Sequence, residues 1–369
     1  MPKGRIEMSD KSILASWTSR RSFLQGGAGL AAVGSLGLSF ASPAIAKETT
    51  WTLANSLRSL ANPYHATFAK GGAEFAKSID ATYVTLVTEG NSEKGISDIK
   101  ALLQRTGGKL ILNVDPNDSP DARVIVDEVQ KSGGYVVTQW NKPNDLHPWD
   151  HNPNYVAHMS FDGVPAAKAL AKELFKAFGG EGGVVAIGGI LSNVPAIERK
   201  AGLDQAIAES AGKVTLLDFQ PADWNGQKAF DVTQAWLTRF GGKIKGVFAA
   251  NDDMGLGALE ALRQASLAGK VPVVGLDGIA GAVKAVEAGE FAATVAWDPL
   301  WTGGMGLAIP YAAATGKIDI AKEPKEHREF YGTSIMVTKD SAAAFKSGGS
   351  KLNFSDLWGK DTGQIQYRG

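Results

Sequence analysis

The sequence predicts an α/β protein whose parallel strands are divided between two sheets, one in each of two lobes. Three observations predict it. From Trp51 onward, short apolar or β-branched runs alternate with helical patterns with little interruption. The runs are continuous in polarity, which marks strands covered on both faces, as in a parallel sheet flanked by helices. More than ten such runs occur, too many for one open sheet of ordinary width, so two sheets are expected.

The expected strands of the first half are 51–56, 83–88, 110–115, 135–140 and 155–161. Those of the second half are 184–190, 214–219, 246–251, 271–277, 291–297 and 330–337. Between them lie helical stripes: Ile96, Ile99, Leu102 and Leu103 share one face, and Leu170, Leu174 and Phe178 another. Segment 141–154 is rich in Pro, Asn, Asp and His and has no helical period, so it is expected to carry the chain from one lobe to the other.

At 369 residues the chain is long enough for two cores. Lys plus Arg and Asp plus Glu number 38 each, so no global basic field recruits nucleic acid, and none is expected as a partner. Cysteine is absent, which excludes disulfides, zinc–thiolate sites and cysteine nucleophiles. His147 and His151 stand four apart, but proline and loop composition argue against a helical metal site.

The first 46 residues read as a processing segment. Arg20 and Arg21 lie in a twin-arginine pattern, an apolar glycine-rich stretch follows over 26–41, and Ala44 and Ala46 supply the small residues of a cleavage site. Cleavage is expected between Ala46 and Lys47. The apolar stretch is too short and too glycine-rich to span a bilayer well. Removing the segment takes five basic and two acidic residues and leaves a net charge of −3. Gly27, Gly29 and Ala32 match a dinucleotide fingerprint, but no strand precedes them, so the match carries no cofactor.

In open parallel sheets, ligands bind beyond the carboxyl ends of the strands. The residues there are consistent in kind: Ser56 and the Asn62-Pro63-Tyr64-His65 stretch, Asp115, Trp140 and Asn141, then Arg199, Trp224, Asn251, Asp277 and Trp297. Asn and Asp can each engage two neighbouring hydroxyls, Arg offers a rigid fork of donors, and an indole packs on the C–H face of a sugar ring. That is the chemistry of carbohydrate or polyol binding. No G-x-S-x-G elbow, Walker loop or H-E-x-x-H stands beside it.

The run Val247-Phe-Ala-Ala-Asn-Asp-Asp-Met-Gly-Leu-Gly, with Val271-Pro-Val-Val-Gly-Leu-Asp-Gly and Ala292-Ala-Thr-Val-Ala-Trp-Asp-Pro, resembles the type I periplasmic sugar-binding proteins, the ribose- and galactose-binding-like receptors of ABC transporters. The resemblance extends from Trp51 to about Val337 and includes Asn62-Pro63-Tyr64 and Gln220-Pro-Ala-Asp-Trp224. It implies two Rossmann-like lobes joined by a three-segment hinge, with a small sugar or polyol clamped between them and an ABC membrane permease as partner. By motif, Ser56, Asn62, Tyr64, His65, Asp115, Trp140 and Asn141 belong to the first lobe's contacts. Arg199, Trp224, Asn251 and Asp277 belong to the second, and Trp297 to the last crossover, where ribose receptors often place a glutamine. The implied division is 1–46 for the export signal, 47–160 with 298–329 for one lobe, 161–297 with 330–345 for the other, and 346–369 for a tail beyond the usual end of the family.

The chain departs from the ribose pattern. An Asp-Arg pair is typical where Trp140-Asn141 stand, and Phe-Asp where Leu276-Asp277 stand. The exchange makes the site more aromatic and removes part of a pentose hydroxyl network, which leaves a polyol, another pentose or hexose, or a larger glycoside open. At 251–253, Asn251 reads as the ligand hook, and Asp252 and Asp253 as caps of the following helix. The function expected is a monomeric, non-catalytic, periplasmic receptor without cofactor. A sugar-responsive regulator of the same fold would need a helix-turn-helix ahead of Trp51, where the export signal stands. A secreted enzyme using Asp252 and Asp253 or Asp277 as acid and base lacks a nucleophile or metal site in the sequence.

Overall fold

The computed structural model describes residues 50–349 and 351–367, and its elements follow the expected march. The twin-arginine pattern and the Ala46–Lys47 cleavage site lie outside the described residues. The first series is β1 (Thr52–Leu57), α1 (Pro63–Ser78), β2 (Thr82–Val87), α2 (Ser92–Arg105), β3 (Leu110–Val114), α3 (Asp121–Ser132), β4 (Tyr135–Gln139) and β5 (Tyr155–Ser160). The second is α4 (Gly163–Ala177), β6 (Gly182–Gly188), α5 (Val194–Glu209), β7 (Val214–Pro221), α6 (Gly226–Phe240), β8 (Ile244–Ala249), α7 (Asp252–Gln264), β9 (Val273–Asp277), α8 (Ala280–Glu287) and β10 (Phe291–Ala296). The chain ends with α9 (Pro299–Ala314), β11 (Glu329–Gly332), β12 (Ile335–Thr338), α10 (Lys339–Ala342) and β13 (Ile365–Tyr367).

Two sheets result. The first has seven strands in the order β13-β11-β5-β4-β3-β1-β2, and the second has six in the order β12-β10-β9-β8-β6-β7. Pairing is parallel except where β13 meets β11 and β12 meets β10. Central strands such as β3 are buried along their whole length, and β3 is apolar but for Asn113, whose side chain is hydrogen-bonded. Helix starts are set by side-chain caps: Asn62 accepts from Tyr64 N–H with Pro63 in the first turn, and Asn91 accepts from Lys94 N–H. Ile99, Leu102 and Leu103 of α2 bury as their spacing predicts. On α7, Gly257 lets the helix meet α6 closely, because a Cβ there would stand 2.0 Å from Gly226 O.

Three expectations are corrected. Segment 141–154 is not a crossover, since β4 and β5 pair with each other in the first sheet. Its loop composition marks irregular backbone, and a short 3-10 turn at Pro148–His151 occupies it, but composition does not say which sheet the next strand joins. The passages between lobes lie instead between β5 and α4, between β10 and α9, and at Thr333–Ser334. The expected strand 330–337 is two strands, β11 in the first sheet and β12 in the second, so the last boundary falls at 333–334 and not at 329–330. The tail also does more than extend the chain: β13 adds an antiparallel edge strand to the first sheet.

Candidate functional site

The carboxyl ends of both sheets open on one cleft, whose empty space, open solvent included, is about 620 Å³. Asn62, Tyr64, His65, Asp115, Trp140, Asn141, Arg199, Trp224, Asn251, Asp277 and Trp297 all line it. Ser56 does not. It lies inside β1, opposite Leu86 and Val114, 1% exposed, because the strand runs on to Leu57. Arg58, just past the strand, takes the lining position instead. Phe161, expected at a strand end, lines the cleft too, and so do Asn193, Pro195, Leu276, Val295, Ala296 and Ser334, which were not anticipated. Phe161 ends an expected strand, so its position was a usable signal. Asn193 reads in sequence as an ordinary helix cap and gives none.

One wall is aromatic. Trp140 stands edge-on to Trp297 with ring centroids 5.8 Å apart, to Tyr64 at 5.7 Å, and Phe161 packs on Trp297 at 5.7 Å. The two indoles are 7% and 3% exposed, so they shape the cleft and offer it little surface. Trp297 fits because Gly332 has no side chain; a Cβ there would fall 1.6 Å from the indole nitrogen.

The opposite wall carries charge. Arg199, on α5, donates to the Ala250 carbonyl and lies between two rings, 4.8 Å from the Phe161 centroid and 5.3 Å from that of Trp224. Stacking of this kind is a guanidinium property that a lysine ammonium does not reproduce. Burial pushes the Arg199 pKa down, and Asp277 opposes that shift. Asp277 is held well above the usual carboxylate range by desolvation, with Arg199 and an Asn251 hydrogen bond pulling it back. Burial, with Asp277 and Asp298 adding to it, raises the Tyr64 phenol, so it serves as a neutral donor. In the first lobe, Asp115 accepts from Asn141 Nδ2 at 3.1 Å and stands 3.4 Å from His65 Nε2.

The 251–253 stretch divides its labour differently from expectation. Asn251 itself caps α7, accepting from Met254 N–H at 3.0 Å, while its side chain also lines the cleft. Asp253 accepts from Gly226 N–H at 3.0 Å and ties α7 to α6. Asp252 is fully buried and accepts from the Thr294 hydroxyl at 2.8 Å and from Ile279 N–H at 3.0 Å. Gly278 N–H in turn donates to Thr294 Oγ1 at 3.3 Å. Asp252 and Thr294 thus hold the turn that presents Asp277. That turn needs holding, since Asp277 has φ 133°; in two other loops of the cleft Trp140 and Trp224 have φ 54° and 61°. Side chains rarely adopt such conformations, and they persist where surroundings over-determine them, commonly at functional sites.

Four of the residues lining the cleft each carry a buried polar atom with no protein partner: Arg58 Nε, Tyr64 OH, His65 Nδ1 and Arg199 Nε. Thr302 stands beside Tyr64 without completing a hydrogen bond of good geometry. Unmet donors of this kind are costly and are explained by a ligand or water that meets them. No group of acidic residues, histidines or cysteines able to hold a metal occurs among the described residues.

A family model described as a periplasmic binding protein domain matches residues 53–318. The chain belongs to the type I periplasmic sugar-binding proteins. The ribose import binding protein of Haemophilus influenzae is 31% identical over 289 residues, covering 78% of this chain and 93% of that protein. The xylitol-binding protein of Mycolicibacterium smegmatis is 34% identical over 172 residues, 47% of this chain and 48% of that protein. A crystal structure of a twin-arginine translocation pathway signal protein from Burkholderia phytofirmans is 56% identical, with a TM-score of 0.81, and the match covers 86% of this chain and 99% of that one.

Proposed function

We propose that the chain is an exported, monomeric, non-catalytic receptor that clamps one uncharged sugar or polyol in its cleft and presents the closed form to an ABC permease. The observation that carries the reading is the set of buried, unpartnered donors of Arg58, Tyr64 and Arg199 on residues that line the cleft together with Asp277 and an aromatic wall. Hydroxyl groups both accept from such donors and donate to a carboxylate, and an apolar ring or chain face suits the indoles. The ribose and xylitol relatives support a sugar-like ligand. Trp140 and Asn141 in place of the ribose pattern's charged pair favour a polyol or a sugar other than ribose. The twin-arginine pattern supports export, as does the Burkholderia relative.

The enzyme alternative loses its paired carboxylates, because Asp252 and Asp253 are committed to structural hydrogen bonds behind the cleft. A thermal-shift screen of monosaccharides and polyols tests the proposal. A ligand at a thousand times its Kd adds about 4 kcal/mol to stability and raises the melting temperature. Turnover of any of these compounds, or no shift with all of them, overturns the reading.

A further inference from the structure

The C-terminal tail is a built strap. After α10, which packs on α8 and β12 of the second lobe, Phe345 reaches to within 3.5 Å of where a Cβ on Gly278 would stand, next to Asp277. The chain then returns to the first lobe. A Cβ on Gly348 would lie 3.0 Å from Thr67 of α1, and the Phe354 ring packs at 4.9 Å on Phe75 of the same helix. Asp356 winds the next turn about itself, accepting from the backbone N–H groups of Lys360, Asp361 and Thr362. Trp358 stacks on His327 at 4.4 Å, and Tyr367 OH donates to the Trp358 carbonyl at 2.8 Å.

The strap ends on the hinge. Thr333, between β11 and β12, donates its N–H to Gln364 O at 2.9 Å and its hydroxyl to Gly363 O at 2.8 Å. Its neighbours on both sides bear on the cleft: Gly332 is the seat of the Trp297 indole, which lines the cavity, and Ser334 lines it directly. A hinge segment absorbs the backbone rotation of closure, so fixing one of its residues restricts the motion.

We propose that the tail is a fourth interlobe connection whose clamp on Thr333 limits opening and positions Trp297 and Ser334 for the ligand. The positioning half rests on the sugar- or polyol-binding reading of the cleft; the restraint on opening does not.

Two experiments on the whole protein test it. A protease site inserted between Lys346 and Ser347 allows the strap to be cut while its packed part stays on the first lobe. Small-angle scattering of the ligand-free protein then reads the tether. The radius of gyration rises on cutting, and an unchanged radius overturns the tether. Thr333→Val removes the clamping hydroxyl while keeping the side chain's shape, and Thr333→Ser keeps the hydroxyl. The valine variant is expected to exchange amide hydrogens faster over 329–338. Its affinity for D-ribose or xylitol is expected to fall by about two- to tenfold, the worth of one hydrogen bond, and serine restores both. Equal exchange and equal affinity in the two variants overturn the clamp. Where the wild type binds neither probe, the wider sugar and polyol screen decides the functional reading, while scattering and exchange still decide the strap.

Discussion

The indole N–H of Trp224 donates to Asn193 Oδ1 at 2.8 Å, and the amide nitrogen of the same asparagine donates across the cleft to the Asn117 carbonyl at 2.7 Å. Asn193 stands at the N-terminus of α5 but makes no capping bond there. Its side chain is spent between the lobes, where Arg58 Nη2 also reaches it at 3.4 Å. Val194 N–H donates to Asn141 Oδ1 at 3.2 Å nearby. A ring that lines the cleft is therefore joined to the bonds that hold the lobes together.

Asn193→Ala is expected to weaken ligand binding by roughly tenfold, since it strands the Trp224 N–H and removes the interlobe bond, about 1–3 kcal/mol in total. Titration calorimetry measures the affinity, and a shift in tryptophan emission reports the freed indole. Unaltered affinity would show that the junction is incidental.

Arg199→Lys should lower affinity on the order of a hundredfold, close to the effect of Arg199→Ala, because an ammonium cannot lie stacked between Phe161 and Trp224 while keeping a fork of donors. Circular dichroism checks that both variants fold. A lysine variant binding as the wild type does would mean that charge alone suffices.

The buried Asp252 carboxyl has its pKa pushed up to about 7, chiefly by desolvation, against an ordinary value of 3.8. A raised carboxyl favours the folded state in its protonated form, so its contribution is fully present below about pH 4 and is lost as pH rises through about 7. Asp277 shifts in the same direction. Arg199 opposes the Asp252 shift, as do hydrogen bonds from Thr294, Ile279 and Gly278. Against Asp252→Asn, which does not titrate, the wild type should lose melting temperature between pH 4 and 7. Parallel melting curves for the two proteins across that range contradict the assignment.

Gly332→Ala places a methyl 1.6 Å from the Trp297 indole nitrogen, with β11 fixed between β5 and β13. Overpacking of this kind costs about 1–3 kcal/mol. A lowered melting temperature together with lost binding is expected; full affinity would mean that Trp297 has room to move.

Much of this architecture is legible in the sequence. Continuous apolar runs placed the strands, because a strand covered on both faces has no polar side to write into its sequence. The rule that ligands sit at strand carboxyl ends then placed Asp115, Asn251, Asp277 and their aromatic neighbours at the cleft. Ser56 failed because one further residue of strand turned the cleft position over to Arg58. Asn251 took the capping duty expected of Asp252 while still lining the cleft, since a carboxylate and an amide on adjacent residues are equally able to cap a helix in sequence, and Asp252 is committed to Thr294 and Ile279 instead.

By itself the sequence determined the α/β class, the two-sheet count and the carbohydrate-like chemistry of the strand ends, all of which follow from local periodicity and residue type. The tertiary structure alone decided where the chain changes lobes, that 330–337 is two strands, that Asn193 bridges the cleft and that the tail closes on Thr333. These depend on contacts between residues far apart in the chain, and no local pattern encodes which distant hydrogen-bond acceptor a donor will meet.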